Sequence, residues 1–242
     1  DSFIAGHLAR ARAQLDLGDV AAAAAVLEEV ARAMDTPGTN RSARQQLQLG
    51  ELYHRLDKAA GSTGHTAEAV RLLTTAAERA REEGDIRSES FALGYLGAIA
   101  ERFGDYDKAL AYSRLAVARA ERANALDGLY AWQWQSARAL ERLGKPDLAL
   151  AAYQQAIETL EKIRFELTRG SSRKFQQAVA PVFFEMASLL LSQPGNRYAE
   201  PVEPIHPAAF TEVIIPQVFD LDGNTPIRDA TNIAVRFVTH TA

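Results

Sequence analysis

The chain has 242 residues, 47% of them apolar and 24% charged, which is the balance of an ordinary soluble globular protein rather than a disordered or fibrous one. Its 27 basic and 31 acidic residues are interspersed and leave a formal charge of −4, so no basic stripe announces a nucleic-acid footprint and the surface would repel phosphate backbones. No run approaches the roughly 18 apolar residues of a membrane span, and the absence of cysteine excludes disulfides, thiolate metal ligands and a thiol nucleophile, so a cytoplasmic location is expected.

The opening "DSFIAGHLARARAQL" has neither an initiator methionine nor a basic-then-apolar leader, and is expected to be a piece of something longer. From there helical periods come in pairs. First helices are predicted over about 3–16, 43–58, 86–103 and 126–143. Each is followed by an alanine-rich second helix, beginning with "GDVAAAAAVLEEVARA" at 18–33. Short turns join them: "LGD" (17–19), "FGD" (103–105) and "LGK" (143–145). The glycine in each suits a left-handed helix C-cap, and Pro146 falls where a first-turn proline is tolerated. The second pair carries an insertion instead, "DKAAGSTGH".

The later second helices repeat a spacing. Ala69/Ala76, Ala109/Ala116 and Ala149/Ala156 are pairs seven apart, each on one helical stripe, and successive pairs step by 40 residues. Small residues at that spacing let helices approach closely. Tyr112, Leu115, Tyr153 and Ile157 are expected to fill the gaps between them. One hairpin cannot bury its own apolar stripe, but a stack of hairpins can.

The stretch "YLGAIAERFGDYDKALAYSRLAVARA" resembles a tetratricopeptide repeat, with Leu96-Gly97 as the pair in the first helix, Tyr106 and Ala109 opening the second, and Ala116 one stripe down. The next unit has "QSARALERLG" at the corresponding place, so Ala137 serves as the small residue. The resemblance implies an all-α, TPR-like solenoid of about four and a half hairpins over residues 1–192. The 40-residue step exceeds the usual 34 and predicts longer helices or linkers.

A narrower resemblance lies at 151–191, where a long helix ending "LEKIRFEL", a short loop and "PVFFE" look like the end of the repeat array in bacterial CHAT proteins, caspase-like proteases with repeats ahead of the protease domain. It implies a regulatory or partner-sensing arm. The protease itself is not in this sequence.

After Leu191 the pattern changes. A proline-rich linker is expected over 193–211. The alternation in "TEVIIPQVFDLDGNTPIRDATNIAVRFVTHTA" predicts a β-hairpin-like tail, or the start of a further domain, over 212–242. Thirty residues cannot bury a core of their own. The tail is therefore expected to lie on the solenoid, to pair with another chain through an exposed strand edge, or to belong to a larger domain.

Catalytic and metal signatures fail one by one. His7, His54, His65, His206 and His240 are scattered without ligand spacing. "DLDGN" has oxygen ligands at alternate positions but lacks the later glycine and the bidentate glutamate of a calcium loop. "AGSTGH" lacks the lysine of a phosphate loop, and no nucleophile elbow surrounds Ser171-Ser172. No enzyme activity, metal or cofactor is expected.

What remains is the face that the first helices turn away from their partners. The third unit would present Phe91, Gly94, Ala98, Glu101 and Arg102, and the fourth Ala131, Trp134, Arg138, Glu141 and Arg142. Trp134 and Arg138 lie four apart, which allows a joint aromatic and guanidinium contact with a protein or peptide partner. Trp132, two residues from Trp134, points to another side and is expected in the core. In the competing reading the β tail is the functional element and the solenoid its support.

Overall fold

An aspartate follows a glycine at three of the turns, and that pair fixes where one helix stops and the next begins. Gly18, Gly84 and Gly104 have φ of +79°, +73° and +75°, a left-handed backbone that L side chains rarely adopt. Asp19, Asp85 and Asp105 then accept from the backbone N–H three residues on, at 3.0, 3.0 and 3.2 Å, each satisfying one of the amide donors left open at a helix start.

The computed structural model describes residues 2–36, 42–166 and 173–193. Among these lie nine helices: α1 (Ser2–Asp16), α2 (Val20–Asp35), α3 (Ala43–Ala59), α4 (Thr66–Glu83), α5 (Ile86–Arg102), α6 (Tyr106–Arg122), α7 (Leu126–Arg142), α8 (Pro146–Glu166) and α9 (Arg173–Ser192). No strand occurs among the described residues, and none of these helices is long and apolar enough to cross a membrane. The linker and β tail expected after residue 193 lie outside the described residues. The longer repeat step resides in the helices: α5 and α6 have 17 residues each, and the turns flanking α6 have only three.

The chain divides into two compact units, residues 1–135 and 136–242, the boundary in sequence falling within α7. In the first, α1/α2, α3/α4 and α5/α6 are successive hairpins. Each second helix packs on the next first helix, α2 on α3 and α4 on α5, and the first helices neighbour one another, α1 on α3 and α3 on α5. In the second unit α8 packs on α9.

The alanine stripe is the seam of this arrangement. Ala69, Ala76, Ala109, Ala116, Ala149 and Ala156 are all fully buried, as is Ala137. Tyr153 and Ile157 are buried beside them and Tyr112 is partly buried. Leu115 corrects the expectation. It is 46% exposed, because one residue before Ala116 is a rotation of about 100° away from the stripe.

Buried charge joins the hairpins at one further point. The Glu89 carboxylate, on α5 and nearly inaccessible, accepts Arg81 Nε from α4 and Arg119 Nε from α6, each at 2.9 Å. Both its oxygens are thereby paired, which is the condition for a carboxylate to be tolerated there.

Candidate functional site

The exposed face of the first helices begins with a chain of ion pairs. Arg12 on α1 donates to Glu51 on α3 at 2.6 Å. Arg55, one turn after Glu51, lies 3.5 Å from the same carboxylate and 2.5 Å from Asp16 on α1. Glu51 is buried, whereas the arginines and Asp16 reach solvent. These four residues are absent from the sequence-derived site. They stand at the same offsets from Ala11 and Gly50 as Ala98 and Arg102 do from Gly97, so extending that register toward the N-terminus was the signal.

Between α5 and α7 the character changes to aromatic. The Trp132 indole is buried and packs edge-on against Phe91 and Tyr95, with centroids 5.8 and 5.6 Å apart. Glycines make the room. A Cβ on Gly94 would collide with the indole, and one on Gly128 would meet it at 3.1 Å. Trp132 is thus core, as expected. Gly94, expected on the open stripe, is instead covered by it. Phe91 is half-buried, with Arg87 stacked 5.2 Å over its outer face and paired to Asp127 at 2.6 Å. Trp134, Glu101 and Ala98 are half-buried.

The insertion between α3 and α4 is built around a buried carboxylate. Asp57 accepts from Ser62 Oγ, the His65 backbone N–H and ring, and Thr66 Oγ1 at 2.7 to 3.1 Å. Burial alone would raise its pKa, but these hydrogen bonds, Thr66 and His65 foremost, outweigh it and hold the carboxyl below its usual range. The His65 ring stacks on Tyr53, centroids 4.9 Å apart. Arg102 clasps the loop from α5, its Nη2 donating to the carbonyls of Asp57, at 3.1 Å, and of Ser62. Beside it sits half-buried His54, whose pKa is pushed down to about 4 by burial first and then by the positive charges of Arg102 and Lys58.

Arg138, Glu141 and Arg142 fall in the second unit, Arg138 half-buried and the others exposed. One Glu141 oxygen lies 3.1 Å from the hydroxyl of fully buried Tyr153, and Glu185 of α9 approaches the same hydroxyl at 3.1 Å. Burial and these two carboxylates push the phenol well above its ordinary range. Among the described residues no cluster of three His, Cys, Asp or Glu could hold a metal ion.

Capped helical hairpins whose first helices line one face define a class of repeat scaffolds. Residues 88–162 match the family model described as tetratricopeptide repeat. The chain is similar in fold to the crystal structure of nearly identical TPR-like repeats described as a kinesin light chain from Podosopora anserina. That similarity has a TM-score of 0.51 and 20% identity, and covers 77% of this chain and 91% of that one. It is also similar to a signal transduction ATPase with numerous domains from Pyrococcus horikoshii that carries a tetratricopeptide repeat sensor. There the TM-score is 0.57 and the identity 14%, and the match covers all of this chain but only 38% of the other. No curated protein matches the sequence significantly. Tetratricopeptide repeats generally mediate protein–protein interaction and are typically non-catalytic.

Proposed function

We propose that this chain is a non-catalytic scaffold that binds a protein or peptide on the face formed by the first helices of its hairpins. The observation that carries the reading is the succession of α1, α3 and α5 in the first unit, with Arg12, Asp16 and Arg55 reaching solvent along it and Phe91 and Trp134 half-buried. A face held by its own ion pairs and aromatic packing is already formed before a partner arrives, so little ordering entropy opposes binding. The contact residues proposed are Phe91, Glu101, Arg102 and Trp134 on the first unit and, taken by itself, Arg138, Glu141 and Arg142 on the second.

The finer reading makes the scaffold the sensing arm of a CHAT-type protease system, acting in the cytoplasm of a bacterium. It rests on the resemblance at 151–191. The fold likeness to a protein whose repeats are called a sensor is in keeping with it. The test is affinity capture from the native cell with the wild-type chain beside Trp134→Ala and Arg138→Glu. Loss of one protein from both variants is expected, and unchanged capture by both rejects the face. Capture lost on truncation at residue 192, with the helical remainder still folded, would transfer the function to the tail.

A further inference from the structure

We propose that His54, Lys58 and Arg102 form an oxyanion-binding corner that receives an acidic or phosphorylated side chain. His54 and Lys58 stand four residues apart on α3 and so share a face. Arg102 comes from α5 and is anchored to the end of α3 and the insertion after it through one nitrogen, Nη2 on the carbonyls of Asp57 and Ser62. Its Nε and Nη1 donors are not used in that anchor.

The charges here are arranged unlike those on the rest of the face. Arg12, Arg55 and Arg87 each lie against a carboxylate, and so do Arg81 and Arg119. Among the described residues neither Lys58 nor Arg102 has such a carboxylate. The acid at this corner, Asp57, is closed off: both its oxygens are taken by Ser62, His65 and Thr66. Burial is the first cause that keeps the His54 ring neutral; the charged groups that act on it are Arg102 from α5 and Lys58 and Asp57 from α3, the two cations reinforcing burial and the acid opposing it. The Arg102 guanidinium is thus held at the carbonyl of Asp57, the residue next to Lys58 and three after His54, while the Asp57 carboxylate is occupied. An oxyanion placed among His54, Lys58 and Arg102 gains two charge-assisted donors and turns His54 into a third by favouring its proton.

The corner depends on the partner-binding reading only for the source of the oxyanion, because a free anion needs no partner. The experiment is therefore an NMR titration of the His54 ring in the full chain at fixed ionic strength, in chloride and then with inorganic phosphate or with difluoroacetate, a carboxylate that stays ionised through the His54 midpoint. Phosphate is expected to raise the His54 midpoint saturably by about one pH unit. A rise with phosphate alone assigns the corner to a phosphorylated side chain, and equal rises with both anions assign it to a carboxylate.

Lys58→Gln and Arg102→Gln should each weaken the anion-dependent increment about tenfold, whereas Lys108→Gln, which removes a lysine bound to Asp105, should not. Lys58 is exposed, so that variant holds even if Arg102→Gln loosens the loop. No movement with either anion in the wild type overturns the proposal, as does an increment undiminished in Lys58→Gln and Arg102→Gln. Failure of the capture experiment with Trp134→Ala and Arg138→Glu would leave this titration unchanged.

Discussion

Two junctions between first helices do the same architectural work with opposite chemistry. At α1 and α3 the contact residues are Arg12, Asp16, Glu51 and Arg55, an ionic chain around one buried carboxylate. At α5 and α7 they are Phe91, Tyr95 and Trp132, an aromatic cluster fitted over Gly94 and Gly128. The repeat sets the spacing of the helices and leaves the filling of each junction open. An aromatic filling excludes water and gains stability from area and close packing. An ionic one gains little net free energy, because the attraction is offset by desolvation, but it keeps polar groups at a surface. The first junction is therefore the one whose surface chemistry can change at little cost to the stack.

The sharpest way to break that comparison is at the aromatic side. Trp132→Ala removes a buried indole from between two rings and should destabilise the chain by about 3–5 kcal/mol, measured by urea unfolding. Gly94→Ala should lose about 1–3 kcal/mol by the reverse route, since the added methyl meets a rigid ring that cannot swing aside as a flexible side chain would. A loss below 1 kcal/mol for Trp132→Ala would mean that the junction is not cemented by this cluster.

The contrast also marks what could be read from the sequence. The first helices fall within one residue of their predicted limits, because helical apolar periods and the glycine-bearing turns that end or begin them are local signals. Trp132 was recognisable as core, but its seat over Gly94, 38 positions earlier, was not. Gly94 was accordingly placed on an open stripe that the indole covers. Arg102 was placed on the partner-facing surface, and its grip on the insertion loop depends on a loop whose sequence gives no period. Leu115 was misplaced because burial changes completely within one step of the helix. The ionic chain is legible only by extending the register of the third and fourth units to Ala11 and Gly50, where Arg12, Asp16, Glu51 and Arg55 stand at the corresponding offsets.

At the ionic side the expected losses are smaller. Glu51→Gln keeps the shape but removes the charge shared by two arginines. Both arginines reach water, and Asp16 still holds Arg55, so the loss should be about 1–2 kcal/mol rather than that of a fully buried pair. It should shrink as salt is raised from 0.05 to about 0.5 M, unlike the loss in Trp132→Ala, which is insensitive to screening. Equal salt dependence of the two variants would erase the distinction between the junctions.

The smallest effect separates them by pH. His54, on the ionic side's α3, has its pKa lowered to about 4 from an ordinary 6.5. The unfolded chain therefore binds a proton on this ring between pH 6.5 and 4 that the folded chain refuses, and folding stability falls as the pH drops through that window. Below about 4 both states are protonated and the penalty stops growing. The ring is only half-buried, so solvent reduces the effect to about 1 kcal/mol between pH 7 and 4.5. Asp57 adds nothing there, because its carboxyl is lowered from an already acidic value and its contribution is lost only at still lower pH. Urea midpoints at pH 7 and 4.5 should thus diverge less in His54→Gln than in the wild type. Trp132→Ala, which leaves α3 and its cations in place, should keep the wild-type slope at a lower stability. If His54→Gln retains the full slope, the acid sensitivity belongs to other groups and the corner beside Arg102 does not hold its imidazole neutral.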